Sequence, residues 1–335
     1  MIGLAARAPG KIPTCPGRRA PARTAAAAAI LLLASVAARA EPVAGDTLAT
    51  RAELSGNWGG LRTDWALRGV DIGIAHAGDL LAVVEGGAAE ETYYSGLLEV
   101  GINLDLEALL GWPSTRAFVL GIGTFGRDPG DGAGSVHAPS NLANIPTGKV
   151  LEAWLERDFL EGRLAVLGGL YGVDSEFDVK ETAGVFMNGG FGTGLDLSET
   201  GLNGPCVYPT TCLGVRARYQ PDDTRYFQLA VLDGVAGDPD QPRGTQIRLS
   251  SDDGLFVIGE AGFQRGAGAG RFLRAAVGAW HYTTDFERLV QPDVVVTPLE
   301  TSGTQGLYAL LEGDLYREPN QYLQGLSGFL RVGMA

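Results

Sequence analysis

The sequence predicts an all-β protein, a transmembrane antiparallel β-barrel preceded by a short N-terminal helix. Three observations support this prediction. The chain begins with a secretory signal peptide, which marks an exported protein. Segments that alternate apolar and polar residues then recur along its 335 residues, and the polar positions are often acidic. Turn residues separate these segments at short intervals, which is typical of hairpins.

Residues 1–40 form the predicted signal peptide. Six basic residues and no acidic ones flank an apolar core at 25–34, which is too short for a spanning helix of about 20 residues. Ala38-Arg39-Ala40 fits a cleavage site before Glu41. Cleavage leaves a chain more acidic than the net charge of −13 of the full sequence, which argues against nucleic acid as a partner. No later segment has 18 consecutive apolar residues, so any membrane form is expected to cross with strands.

The mature chain is expected to divide into an N-terminal segment, 41–69, and a barrel domain, 70–335. Ser55 is the predicted N-cap of a helix over about 58–68 that ends at Gly69. About a dozen strands then follow, with connections of alternating length, as in barrels with short turns on one rim and long loops on the other. The predicted strands are 70–77, 97–106, 116–124, 149–159, 163–171, 214–219, 225–232, 245–250, 255–264, 272–282, 305–316 and 325–332.

The strands predict two unlike faces of the sheet. One face is aliphatic and is expected to touch acyl chains; in the third strand Phe118, Leu120 and Ile122 share one face. The opposite face is repeatedly charged and is expected to line a water-filled lumen. Acidic strands come early and arginines later, so the two signs are expected to face one another across the lumen. The predicted lumen-lining residues are Glu99, Asn103, Asp105, Glu152, Trp154, Glu156, Arg216, Arg218, Arg248, Glu260, Glu312 and Asp314.

The cysteines predict a disulfide rather than a metal site. Cys206 and Cys212 remain after the signal peptide is removed, and they flank a turn-rich loop in an oxidising compartment. The histidines are scattered, so no metal or cofactor is expected. The chain has no Gly-x-Ser-x-Gly elbow, and in-phase carboxylates on exposed strands are common without catalysis, so no enzymatic activity is expected.

Several segments resemble the carbohydrate-selective porins of the OprB type, in order from residue 54 to the end. The N-terminal one is LSGNWGGLRTDWALRGV at 54–70, and others are YSGLLE at 94–99, LGWP at 110–113 and EAWLE at 152–156. Further similar segments are 181–192, 209–219 and 308–319. The resemblance implies a sixteen-stranded outer-membrane barrel that admits sugars by passive diffusion through a pore narrowed by inward-folded loops. Because about four strands fewer are predicted here, the barrel domain of this chain is expected to be incomplete at its C-terminus.

The implied partners are mono- or oligosaccharides as transported solutes, outer-membrane lipid and the barrel-assembly machinery, and a homo-oligomer is compatible with the resemblance. A sugar pore needs hydrogen-bonding groups that replace lost water, together with aromatic faces for the C–H side of the ring. Trp154 has this character, although an interfacial aromatic girdle is an alternative place for it. The long segment 172–213 supplies the candidates for a constriction loop, which are Glu176, Asp178, Lys180, Phe186, Asn188 and Phe191. For Phe186 and Phe191 simple packing within the loop is the favoured alternative. The alternatives are a non-conducting structural or adhesive barrel and a soluble sugar-binding β-sandwich.

Overall fold

The computed structural model describes residues 51, 53–135, 137–142, 145–266, 272–287, 300–301, 304–318 and 324–335. The predicted signal peptide lies outside these residues, so its cleavage stays a prediction. None of the helices in the described ranges has the length and apolar composition that crossing a membrane would require.

Eleven antiparallel strands form one sheet, in which successive strands lie side by side. This confirms the all-β prediction. Within the described residues β1 pairs only with β2 and β13 only with β12, so the sheet is open. A separate ribbon joins β10 (Phe286–Glu287) to β11 (Glu300–Thr301). The strands of the main sheet are β1 (Val70–Ala82), β2 (Thr92–Asp105), β3 (Thr115–Gly126), β4 (Thr147–Phe159), β5 (Leu164–Tyr171), β6 (Cys212–Tyr219), β7 (Arg225–Asp233), β8 (Leu255–Arg265), β9 (Leu273–Tyr282), β12 (Gln305–Arg317) and β13 (Gly325–Met334).

The helices are short, and the first begins differently from the prediction. A 3-10 turn begins after Asn57, not Ser55, and α1 begins after Gly60; Asn57 Oδ1 accepts the backbone N–H of Thr63 in α1 at 3.1 Å. Ser55 Oγ instead accepts the indole N–H of Trp58 at 3.0 Å. The α-helices are α1 (Leu61–Leu67), α2 (Leu106–Leu110), α3 (Pro129–Ala133) and α4 (Leu195–Ser198), and 3-10 turns lie at Trp58–Gly60, Val173–Ser175, Thr182–Val185 and Gly189–Phe191.

The connections alternate in length, as the sequence predicts. At one end of the sheet they are 106–114, 160–163, 220–224, 266–272 and 318–324, all short. At the other end the longer ones are 127–146, 172–211, 234–254 and 283–304. We call 172–211 the inner loop, because it contacts the inward face of the sheet.

The predicted strand at 245–250 is wrong, because this segment has no ladder of backbone hydrogen bonds. It attaches to β4 through a side chain: Thr245 Oγ1 accepts the N–H of Val150 at 2.7 Å and donates to its carbonyl at 3.0 Å. Those backbone groups are available because the pairing of β4 with β5 starts only at Ala153. Alternation in sequence therefore did not produce a strand here, and a side chain rather than a backbone ladder occupies the free edge of β4.

The third strand presents its apolar face inward, which corrects the expectation that aliphatic faces touch lipid. Phe118 and Ile122 lie directly opposite Asn103 and Glu99 of β2, so they share the polar face. They form a buried cluster with Leu97, Leu120 and Leu151, against which Tyr208 of the inner loop packs. Periodicity shows which residues share a face, but it does not show which way that face points.

Candidate functional site

The outward face of the sheet is apolar and exposed. Residues on this face keep about half of their surface accessible, from 49% for Leu311 to 62% for Leu330. An exposed apolar face of this extent is far larger than the patches of soluble monomers. Its members include Ile74, Val215, Leu229, Val277, Leu307, Leu311, Leu330 and Val332.

Exposed aromatic rings lie on the outward face, near the end of the sheet that carries the short connections. Phe159, Tyr219, Phe227 and Phe263 belong to β4, β6, β7 and β8 and are each 38–50% exposed. Tyr94 and Phe125 lie on the outward face near the opposite end. Two aromatic rows that border an apolar band are typical of membrane barrels.

The inner loop is bound to every strand from β5 to β13 of the main sheet. Its first part runs across the inward face, and one stretch, 176–182, makes all of these contacts. The strand partners, in sheet order, are Tyr171, Arg216, Gln228, Glu260, Arg274, Glu312 and Arg331.

These contacts require a strongly curved sheet. Seven neighbouring strands laid flat would span about 29 Å at about 4.8 Å per interval. Glu176, which contacts β5, and Asp178, which contacts β13, are two residues apart, so their Cα atoms are at most about 7 Å from each other. Asp178 alone contacts β8, β12 and β13. The inward face is therefore the concave side of a trough, and the inner loop lies in it.

Asp178 is the central anchor of the inner loop. It is 1% exposed, and its backbone is left-handed, with φ of 53°, which is uncommon for a residue with a side chain. Its N–H donates to Glu260 at 3.0 Å, and its carboxylate accepts Arg331 Nε at 2.9 Å and Lys180 Nζ at 3.2 Å. Gly194 N–H also donates to this carboxylate, so one residue joins both parts of the loop to the wall.

A second buried ion pair holds the loop at β6. Arg216 is 1% exposed; it donates to Glu156 of β4 at 2.6 Å and to Glu176 of the loop at 2.7 Å. Glu156 also pairs with Arg116. Arg216 and Glu156 therefore pair directly on the same part of the wall. This differs from the prediction, in which acids and arginines face one another across the lumen.

The predicted lumen-lining residues separate into two groups. Glu156, Arg216, Glu260 and Glu312 are buried under the inner loop. The rest of those on strands face inward and keep accessible surface, and they are Glu99, Asn103, Asp105, Glu152, Trp154, Arg218 and Asp314. Trp154 shares its face with Glu152, to which its indole N–H donates at 2.8 Å, and packs on Phe118.

Arg248 is not part of a strand, in contrast to the prediction. It lies in the connection 234–254, is 54% exposed, and pairs with Asp238 at 3.7 Å. The reason is the missing strand at 245–250, which removes the register that would have turned Arg248 inward.

The predicted constriction residues all lie on the inner loop. Glu176, Asp178 and Lys180 form its anchored part, whereas Phe186 and Phe191 are exposed and stack on each other with ring centroids 4.3 Å apart. Asn188 Nδ2 donates to the carbonyl of Ala138 in the connection 127–146. Whether these residues constrict a pore stays a prediction.

Sequence reasoning missed several residues of this site. Tyr226 and Tyr308 donate their hydroxyls to the two oxygens of Glu260, at 2.7 and 2.6 Å. Arg331 forms ion pairs with Asp178 and Asp196. Alternation with a period of two puts Tyr308 on the same face of its strand as Glu312, and Arg331 on the same face as Phe329. The sequence therefore contained a signal that these residues face inward.

Burial shifts the pKa of several groups on the inner loop. It raises the pKa of Asp174, although the N–H of Tyr208 at 3.0 Å favours the carboxylate. It also raises the pKa of Glu181. Burial lowers the pKa of Lys180, and the charge of Asp178 partly offsets that shift.

Cys206 and Cys212 form a disulfide with Cα atoms 5.4 Å apart, the pairing expected from the sequence. It closes the end of the inner loop onto β6. In the part of the chain that the structure describes, no three His, Cys, Asp or Glu side chains are grouped so as to hold a metal ion.

Known proteins share this sequence pattern and fold. A family model described as carbohydrate-selective porin, OprB family, matches residues 89–335. Porin B of Pseudomonas aeruginosa is 26% identical over 133 residues, which cover 37% of this chain and 29% of that protein. The matched part therefore spans less than a third of this relative.

Two solved structures resemble the fold. The high-pH structure of Pseudomonas putida OprB has a TM-score of 0.73 at 18% identity, covering 85% of this chain and 71% of that chain. The low-pH structure of the same protein has a TM-score of 0.52 at 14% identity, covering 84% and 71%. At these identities the likeness concerns the fold.

Proposed function

This chain belongs to the OprB family of carbohydrate-selective porins, and from that premise we propose that it forms an outer-membrane pore for passive diffusion of neutral sugars into the periplasm. The apolar outward face contacts lipid, and the trough faces the solute. A cleaved signal peptide exports the chain, and the barrel-assembly machinery inserts it. The protein acts as a channel and catalyses no reaction.

The inner loop carries this proposal. Polar side chains of seven successive strands hold it across the polar face, five of them carboxylates or arginines, so it narrows the passage. Two residue groups then have separate roles. Glu156, Arg216, Glu260 and Glu312 position the loop, whereas the accessible inward residues, among them Asn103, Asp105 and Trp154, meet the solute and exchange hydrogen bonds with its hydroxyls.

Swelling of proteoliposomes that contain the full chain tests the proposal. We expect fast swelling with a neutral hexose, slower swelling with a disaccharide, and very slow swelling with an anionic sugar acid of similar size, because the chain is acidic. Arg248→Ala should swell at the wild-type rates with all three solutes, because Arg248 lies in the connection 234–254 and not on a strand of the wall.

Two outcomes would reject the pore. A reconstituted chain with no permeability to hexose would leave the non-conducting structural or adhesive barrel. A compact monomer that stays in solution without detergent would favour a soluble sugar-binding protein, although the single eleven-stranded sheet is not the two packed sheets of a sandwich.

A further inference from the structure

Three phenylalanines form an exposed cluster at the tip of the inner loop, which we call the phenylalanine platform (Phe186, Phe191 and Phe329). Phe186 and Phe191 are stacked at an interplanar angle of 23°. Phe329 of β13 meets both edge-on, with centroids 6.1 Å away. The loop rings remain 44% and 38% exposed, so packing accounts for only part of their surface.

The platform is held from two sides. On one side the N–H of Asn141 donates to Met187 at 2.7 Å, and the N–H of Gly189 donates to Ala138 at 3.2 Å. On the other side Arg331 of β13 pairs with Asp178 and Asp196 of the inner loop. The rings are thus fixed in place before any ligand arrives, which lowers the entropy cost of binding.

The surroundings of the rings favour a neutral ligand with one apolar face and a hydroxylated rim. Asn188 and Asp196 are partly accessible beside the rings and accept or donate hydrogen bonds. Asp196 is acidic and forms an ion pair with Arg331, so this arginine is already paired and is not offered to an anionic ligand. A pyranose ring has this character, because its C–H face is apolar and its edge carries hydroxyls.

We propose that the phenylalanine platform is a stacking subsite for one pyranose ring of a neutral sugar in transit. This subsite rests on the proposed function, because it presumes that sugars enter the trough. In the stacked pair, Phe186 and Phe191 each cover one face of the other ring. A sugar can therefore stack on a free outer face only, and it is held from one side. The resulting weak binding suits conduction, which requires that a bound solute also leaves.

The test uses planar bilayers that contain the full chain and measures how sugar lowers its KCl conductance. Glucose is compared with glucitol, which has similar hydroxyls and no ring. For the double variant F186L/F191L, which keeps apolar volume, we expect the half-blocking glucose concentration to rise about three- to tenfold. The effect of glucitol should stay at its wild-type value, and each response is taken relative to the sugar-free conductance of the same variant. F227L is the matched control, because Phe227 is 50% exposed on the outward face.

The outcomes separate this subsite from the pore itself. Wild-type channels that conduct ions but do not respond to glucose would reject the proposed function, and the subsite with it. An unchanged glucose response in F186L/F191L, or an equal loss for glucitol, would reject only the subsite. If the double variant does not insert, F191W decides: its additional indole emission should change with glucose and not with glucitol, and an unresponsive emission overturns the proposal.

Discussion

The two halves of the trough differ in whether charged groups hold the inner loop. From β5 to β13 the wall binds it through ion pairs and hydrogen bonds centred on Asp178 and Arg216, in addition to an apolar cluster that includes Phe177 and Leu197 of the loop. From β2 to β4 the wall is a cluster of aliphatic and aromatic side chains around Ile122, on which Tyr208 packs. Charged contacts are directional and fix where the loop lies, whereas apolar contacts fill volume without fixing direction. We therefore expect position and stability to respond differently in the two halves.

Asp178→Ala should have the largest effect. It removes a buried carboxylate from Arg331 and Lys180, so the free energy of unfolding in detergent should fall by about 3–5 kcal/mol. Single-channel conductance should rise, because the loop loses its central anchor. Asp64→Ala is the control, since Asp64 is exposed on α1, outside the main sheet. Wild-type conductance in Asp178→Ala would show that the loop is fixed elsewhere.

Ile122→Ala should come next. Ile122 is fully buried in the apolar half, so its truncation should lower the free energy of unfolding by about 2–4 kcal/mol. Its single-channel conductance should equal that of the wild type. If the single-channel conductance of Ile122→Ala rose as much as that of Asp178→Ala, the two halves of the trough would not differ in how they position the inner loop.

Asp174→Asn should give a smaller effect that depends on pH. Burial raises the folded-state pKa of Asp174, so its stabilising contribution is present below its unfolded pKa of about 3.9 and is lost as pH rises through the folded value. The amide still accepts the N–H of Tyr208, so the variant should be more stable than the wild type at pH 7. This difference should shrink toward pH 4 in parallel denaturation curves, and a difference that is the same at both pH values would contradict the shift.

The smallest expected effect is a change in ion selectivity when an arginine is replaced by glutamate. Arg218 faces inward over the ring of Tyr226, so Arg218→Glu should shift the reversal potential in a KCl gradient toward cations. Arg248→Glu should leave it nearly unchanged, because Arg248 is 54% exposed in the connection 234–254 and does not belong to the strand wall. Equal shifts would place Arg248 near the conducting path.

Most strand positions were predictable because period two is a local signal. It also separates Gln228 on the inward face from Leu229, which is exposed on the outward face. The site was only partly predictable. Glu260 and Arg216 were assigned to a wet wall, yet both are buried, because nothing local in a strand shows that a loop from elsewhere in the chain will cover it.

The sequence by itself determined the all-β class, the alternation of short and long connections, the Cys206–Cys212 pairing and the family. Only the tertiary structure decided that the apolar face of β3 points inward, that 245–250 is not a strand, and that the charges of the wall pair with neighbours and with the inner loop. The physical reason is the separation along the chain of the residues involved. Alternation is a pattern of adjacent residues, whereas these features depend on contacts between distant parts of the chain, such as that of Asp178 with Arg331.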